Sequence, residues 1–542
     1  MEPRMSQPQY FSPSWIQPTD EVLDTDLCIY GGTSAGVIGA VTARRKGLRV
    51  LLLHPGKFIG GMTSGGLGWT DFGKKHVIGG ASRQFYRDLG AAYGLEEEEW
   101  LFEAKAAEAL FHRYLKAADV PVRLCQFLDH TTLENNRLAA IRMLGGLTVT
   151  AKYFMDATYE GDLLAKAGVS HHVGREANGV YGETINGVQI RDKHQFVSPV
   201  DPYVKEGDPR SGTLPGVRQE DTAPQGSGDS LIQAYNFRVC MTDDPELRIP
   251  WEKPEGYDDA EYEIARRWFR HPETGYNALL RPGDDGARVA PDKFDLLSPR
   301  TPGGFVKTDT NNHGPISSDF IGRNWAWPSA DYATREKIFQ AHVTYQKGLY
   351  WFMANDPSIP ENLRQAHNRF GLAADEFGET GHWPHQIYVR EARRMVSDYV
   401  LSEKDTQHHR QPEDSVGMGS YQMDSHNCQR IVRDGRVLNE GDVQLHPAGP
   451  YALSYRSVVP RRGECENLAV PVCLSASHIA FGSIRMEPVF MVLAESTALA
   501  ISVAFPEGKA LQDVAYNKLL PLLRDAGQIL TQDDAKTEAA KG

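Results

Sequence analysis

The feature that most constrains this chain lies near its start. A short apolar run, residues 26–30 (DLCIY), feeds straight into a glycine turn made of Gly31, Gly32, Thr33, Ser34, Ala35 and Gly36. A helix follows, because Gly36, Ala40 and Ala43 recur at helical spacing and give one face small enough to lie close on a sheet. Gly47 supplies a left-handed stop, and residues 49–54 (RVLLLH) read as a second strand. Strand, glycine turn, small-faced helix and parallel strand make a βαβ unit with a right-handed crossover. Such a turn lets backbone N–H groups and the helix dipole meet a pyrophosphate. Thr33 stands where G-x-G-x-x-G has its second glycine, and its hydroxyl can donate in compensation. His54, followed by Pro55, ends the second strand where a carboxylate usually takes the adenosine ribose. An imidazole there is expected to hydrogen-bond one ribose hydroxyl.

The next segment, residues 58–69 (FIGGMTSGGLGW), separates two kinds of dinucleotide. A nicotinamide domain has little use for a second glycine-rich stretch after its second strand. A flavin dinucleotide uses one to run extended backbone beside pyrophosphate and ribityl chain.

Residues 101–118 then have helical spacing, residues 122–128 and 138–144 read as a strand pair joined at 134–136, and residues 153–158 as a core strand. Glycine- and proline-rich loops with scattered helices, the clearest at 332–352, fill the middle; strand patterning returns at 468–472 and an apolar helix at 486–503. The expected fold class is therefore α/β: a discontinuous Rossmann-like FAD-binding domain with an inserted α+β substrate or cap domain. Its expected bounds are an N-terminal arm 1–23, FAD-binding parts 24–169 and 441–527, the insertion 170–440, and a flexible tail 528–542. A chain of 542 residues allows three or four domains at about 100–200 residues each.

A net charge of −13 offers no field to attract a phosphate backbone, so nucleic acid is not expected as a partner. The longest apolar runs are interrupted by Glu, Arg or Gly, so no membrane span is expected. Residues 1–20 lack the apolar core of a secretory signal, which predicts a cytoplasmic protein. The six cysteines form no C-x-x-C pair, so reduced structural thiols are expected and no metal site.

With residues 156–163 (DATYEGDL), 174–176 (GRE) and 475–488 (SASHIAFGSIRMEP), the chain resembles the FAD-dependent oxidoreductase family related to fumarate reductase and succinate dehydrogenase flavoproteins, along nearly its whole length. The resemblance implies noncovalent FAD with residues 31–36 at the pyrophosphate and Gly60, Gly61, Met62 and Thr63 along the ribityl chain. It implies backbone of Leu128 at the adenine, Asp156, Ala157, Thr158 and Asp162 at the end of the dinucleotide, and Ile484, Arg485, Met486 and Glu487 under the isoalloxazine. Related flavoproteins use a histidine early in the chain for covalent attachment, which makes His76 the alternative to noncovalent binding. The sequence departs from the family at His54 and at Ala494-Glu495, which stands where such chains often show Gly-Gln.

For the substrate, the polar candidates are His313, Arg390 with Arg393 and Arg394, His426 and His478. His478 is the favoured base, because it lies eight residues before Met486. The expected reaction removes a hydride from a small polar substrate, a polyol, sugar or glycoside alcohol before an amine, and passes electrons to an unidentified acceptor. Two alternatives are a fumarate-reductase-like ene-reductase, in which Arg390 or Arg485 grips a carboxylate, and a flavin-binding subunit without turnover of its own.

Overall fold

The computed structural model describes residues 7–271, 280–282, 289–291, 294–296 and 304–540. Its central sheet begins with β1 (Val22–Tyr30), whose last six residues are all buried, as befits a strand covered on both faces. Helix α1 (Ser34–Arg45) and strand β2 (Val50–Leu53) complete the βαβ unit, with Leu27 opposite Val50. After α2 (Gly80–Ala92) and α3 (Ala104–Ala117), strand β3 (Val122–Arg123) pairs parallel to β2 through Leu52 and Val122.

The expected pairing of residues 122–128 with 138–144 is corrected here. The hairpin is β4 (Leu128–Glu134) with β5 (Arg137–Met143), turned at Asn135 and Asn136, which take φ of +50° and +59°. Asparagine tolerates that conformation, so the turn lay where the sequence put it while the first strand started later. Strand β6 (Thr148–Asp156) runs parallel to β1, with Leu27 opposite Tyr153. The order is β3-β2-β1-β6-β5-β4.

The chain then leaves this sheet. Strands β7 (Met241–Thr242), β8 (Arg248–Ile249), β9 (Phe294–Leu296), β10 (Lys307–Thr310) and β11 (Gly371–Ala373) form a separate antiparallel sheet in the order β8-β11-β7-β10-β9. Helix α4 (Tyr332–Asn355), capped by Asp331, lies between β10 and β11 in sequence. The chain returns at β12 (Leu468–Ala469), which pairs parallel to β6. It continues into α5 (His478–Ile484) and α6 (Glu487–Ala504), with a proline in the first turn of α6.

Helix α6 packs along α1, bringing the Ala494 side chain close to Gly39. Glu495, the second family departure, accepts from the Ala81 amide and the Gln528 side chain, both at 2.7 Å. The segment Glu487–Glu507 has mean hydropathy 1.8, enough by length and composition to cross a membrane, which corrects the expectation that no stretch qualifies. Of that window 83% is buried inside the protein, so core packing accounts for its apolarity.

The first and last segments among the described residues are tied down. Glu336 on α4 accepts from the amides of Tyr10 and Phe11 at 2.7 and 2.8 Å, and Gln340 donates to the Pro8 carbonyl. The tail expected to be flexible instead carries α7 (Gln532–Ala539), with a capping box from Thr531 and Asp534 and an ion pair between Glu538 and Arg83.

Candidate functional site

The glycine turn sits where the central strands end. Thr33 caps α1, accepting from the Gly36 amide at 3.2 Å and donating to the Ala157 carbonyl at 2.8 Å. A Cβ on Gly36 would meet the Gly31 carbonyl oxygen at 1.9 Å, so only glycine lets helix and turn approach this closely. Ser34 and Ala35 occupy the first turn, where backbone amides have no carbonyl to meet within the helix. The second glycine stretch is laced to the first, since the Gly60 amide donates to the Gly32 carbonyl at 2.7 Å.

A cleft opens over this turn, lined by Gly31, Thr33, His54 and Pro55 and by Thr158 and Glu160. Tyr10 from the arm and His385 close its rim, with His385 stacked on Phe58 at 4.2 Å between ring centroids. His385 is one of the polar residues the sequence offers for the substrate side, whereas Tyr10 and Glu160 were not singled out there. Of these two, Glu160 stood inside the DATYEGD stretch and carried a visible signal.

One carboxylate unites the segments beyond the cleft. Glu487, the first residue of α6, accepts from Ser34 Oγ at 2.5 Å, Thr63 Oγ1 at 2.8 Å and Tyr159 Oη at 2.7 Å. Tyr159 Oη also receives the Met62 amide at 2.9 Å, and Gly61 lies against the same hydroxyl. Burial raises the Glu487 pKa, and the three hydroxyls oppose the rise. Ile484 and Met486 are packed in the core beside it.

Several residues expected at the cofactor have hydrogen-bond partners within the protein. His54 Nδ1 accepts the Gly32 amide at 2.9 Å instead of waiting for a ribose. Burial pushes its pKa down to about 4, against the Phe58 carbonyl, so the ring is neutral. The Leu128 amide donates to Tyr30 Oη at 3.1 Å, and the Leu128 carbonyl receives Tyr332 Oη at 3.0 Å. Asp156 closes its own turn, accepting from the Thr158 and Leu164 amides. Asp162 is consumed by Arg335, at 2.6 and 2.8 Å, and by Arg393 at 2.8 Å. His76 is set among Lys74, Arg83 and Glu538, none of which walls the cleft.

On the other side of the second glycine stretch lies a buried polar cluster. A Cβ on Gly66 would meet the Arg238 carbonyl at 2.0 Å, and the Trp69 amide donates to Asp309, which pairs with Arg238 through two 2.7 Å bonds. Asp71 accepts from Tyr421 Oη at 2.9 Å. Arg485 donates to Asp424 Oδ2 at 3.0 Å, Gln233 at 3.2 Å and Tyr388 Oη at 3.0 Å, and its buried Nε has no partner among the described residues.

His426 belongs to this cluster. Its Nδ1 meets Asp319 Oδ2 at 2.7 Å, and Arg390 holds Asp319 Oδ1 at 2.9 Å. Burial alone would raise Asp319, but Arg390 and His426 hold it well below the usual carboxylate range. Asp319 therefore fixes the proton on Nδ1 and turns Nε2 toward Asp424 Oδ2, 3.3 Å away. Asp319 and Gln233 were missed in the sequence, where isolated polar residues far apart in the chain carry no pattern.

His478 is not placed as expected. Its Nδ1 meets Glu391 at 2.8 Å and its Nε2 meets Ser425 Oγ at 3.0 Å, while its amide donates to Glu176. Arg394 bridges Glu391 and Glu176, so His478 is the centre of a buried ionic knot with both ring nitrogens spent. It braces the start of α5 and has no nitrogen left for a substrate. His313 stands half-buried in the loop after β10.

The arrangement fits a flavin dinucleotide. The close approach of Gly36 to Gly31 sets the first turn of α1 at the ends of the central strands, and the cleft opens over Gly31 and Thr33 at that point. A comparison with curated proteins finds no match. Among solved structures the chain is similar to THI4 of Thermovibrio ammonificans at 22% identity, covering 28% of this chain and 66% of that one, with a TM-score of 0.22. It is also similar to OxyS anhydrotetracycline hydroxylase from Streptomyces rimosus at 12%, covering 36% and 41%, TM-score 0.22. The bacillithiol disulfide reductase Bdr from Staphylococcus aureus matches at 15%, covering 25% and 38%, TM-score 0.19. The chain thus spans less than two thirds of the length of each of these proteins. The family of FAD dependent oxidoreductases, in contrast, matches residues 26–523, from the first strand through the buried α6 and beyond. The chain belongs to that family and is an FAD-dependent oxidoreductase.

Proposed function

We propose that this enzyme oxidises a small polar substrate at a carbon bearing a hydroxyl group, with His426 as the base. The observation that carries the reading is the pair His426 Nε2 and Asp424 Oδ2, 3.3 Å apart. With Nδ1 committed to Asp319, Nε2 and Asp424 Oδ2 form a polar pair at the other edge of the ring, which a further donor can join. A substrate O–H is that donor.

Bound FAD supplies a hydride acceptor at the flavin N5. Ser34 and Ala35 would hold its pyrophosphate by their amides, and Thr63 and the backbone at Gly60 would follow its ribityl chain. His426 takes the hydroxyl proton at Nε2. Asp319 keeps the ring in the productive tautomer, and Arg390 keeps Asp319 ionised and in place. Asp424, itself held low by His426 and Arg485 against the effect of burial, orients the hydroxyl. Residues 170–440 supply most of these groups, which supports the reading of that segment as the substrate side. A positioned base is worth about 10² to 10⁴ in rate.

One feature favours the ene-reductase reading instead: the buried Arg485 Nε, without a partner among the described residues, could meet a carboxylate oxygen. Against it, the other Arg485 nitrogens and Arg390 are committed to Asp424, Tyr388 and Asp319. Anaerobic mixing with a panel of polyols, sugars and hydroxy acids tests the choice. Bleaching of the oxidised flavin by an alcohol supports oxidation. Inertness to every alcohol, with reoxidation of photoreduced enzyme by an unsaturated acid, overturns it.

A further inference from the structure

We propose that Glu160 takes the adenosine ribose hydroxyls of FAD, the task that the end of the second strand performs in most dinucleotide folds. The inference rests on FAD binding and is independent of which substrate the enzyme oxidises.

The position that usually does this work is closed. His54 ends β2 in the expected place, but its Nδ1 receives the Gly32 amide at 2.9 Å and its ring is held as a brace between the glycine turn and the segment at Phe58. A new acceptor must therefore lie elsewhere on the cleft, within reach of the same sugar.

Glu160 lines the same cleft, two residues beyond Thr158. Its neighbour Asp162 takes the guanidinium of Arg335 twice and that of Arg393 once. Among the described residues no cation stands within ion-pair distance of Glu160, although it is only 6% exposed. A nearly buried carboxylate with no cation is costly until donors reach it. Its own backbone amide and the Trp327 side chain already reach it, and the chemistry of a further donor from the cleft is narrow. A phosphate would be repelled, and an amine of the adenine ring offers a single edge. A vicinal diol offers two neutral O–H donors at the spacing of the two carboxylate oxygens. The geometry is completed by Tyr10, whose amide and hydroxyl are pinned by Glu336 and Arg335, so the arm walls the cleft beside Glu160.

The test uses apoprotein titrated with FAD and with the FAD analogue whose adenosine lacks the 2′-hydroxyl, followed by quenching of flavin fluorescence. The parent should bind FAD about 10-fold more tightly than the analogue, the order of one hydrogen bond to a charged group. Glu160→Ala should bind FAD about 10- to 100-fold more weakly and no longer distinguish the two ligands. Glu160→Gln, which preserves shape and keeps one acceptor oxygen, should fall between. A parent that binds both ligands equally overturns the proposal without any variant. So does a folded Glu160→Gln or Glu160→Ala protein, judged by its melting curve, that retains the parent's discrimination or binds FAD more tightly.

Discussion

His426 Nδ1 and Asp319 Oδ2 meet at 2.7 Å in the interior, and the second oxygen of that carboxylate is held by Arg390. Replacing Asp319 with Asn offers His426 an amide that can donate as well as accept, so the tautomer is no longer fixed. Asp319→Asn and His426→Gln should each slow flavin reduction by about 10² to 10⁴ while FAD stays bound. Stopped-flow absorbance under anaerobic conditions reads this directly. A slowing under threefold in both variants would remove His426 from the reaction.

His478 should behave in the opposite way. His478→Ala leaves Glu391 with Arg394 as its remaining charged partner and Ser425 without its imidazole. We expect a loss of about 3 kcal/mol in denaturant unfolding, the order of breaking a buried pair. The folded fraction should reduce its flavin within about threefold of the parent. A rate loss of 10² with unchanged stability would restore His478 as the base.

Glu487 accepts three hydroxyl protons on two oxygens. An amide presents one acceptor and sets an NH₂ group against the remaining donors. Glu487→Gln should therefore cost about 1–3 kcal/mol of stability and speed flavin release, measured by dilution into excess of a fluorescent-silent analogue. Unchanged stability and release would mean that the hydroxyls find other partners.

Gly36→Ala puts a methyl group at 1.9 Å from the Gly31 oxygen. The turn must open, so the purified variant should be colourless or unfolded while the parent is yellow. Trichloroacetic acid should release the parent's flavin into the supernatant. Yellow Gly36→Ala protein with parental affinity would contradict the geometry, and a yellow pellet would contradict noncovalent binding.

FAD affinity should depend on pH through Glu160. Burial pushes this carboxyl up to about 7, with Asp162 adding to the rise and Arg335 opposing it. The groups facing it keep their charge between pH 6 and 8. Tyr10, Tyr235 and Cys473 are all raised by burial and stay neutral, while Asp162 is lowered by Arg335 and stays ionised. Ribose hydroxyls bind the ionised form, so affinity is full above about 7 and falls as pH drops through it. The dissociation constant at pH 6 should exceed that at pH 8 by about 10-fold, at most one decade per pH unit for a single proton. Glu160→Gln should flatten the profile; a flat profile in the parent contradicts the assignment.

The parts legible in the sequence are those where local pattern and tertiary role coincide. Residues 26–54 announce their own strand, turn and helix because Gly36, Ala40 and Ala43 answer to the sheet they touch. The Asn135-Asn136 turn is legible for the same reason, since backbone conformation alone demands it. His54 was legible as an anomaly but not as a brace, because its partner is the amide of Gly32 and no side chain records a backbone bond. Asp162 and His478 misled the reading since their charges are consumed by Arg335 and Glu391, residues 173 and 87 positions away. A motif shows which residues stand near the flavin's path. Which of them remain unspent depends on partners that only folding brings together.

The hydrogen bond from Ser34 to Glu487 joins residues 453 positions apart. At about 5–20 residues per second of synthesis, the fingerprint turn waits on the order of half a minute or more for the carboxylate that secures it. A nascent or prematurely terminated chain that stops short of α6 carries a complete glycine fingerprint and no finished socket. Flavin capture is thus a checkpoint late in the birth of this enzyme, and yellow colour reports that the whole chain has arrived.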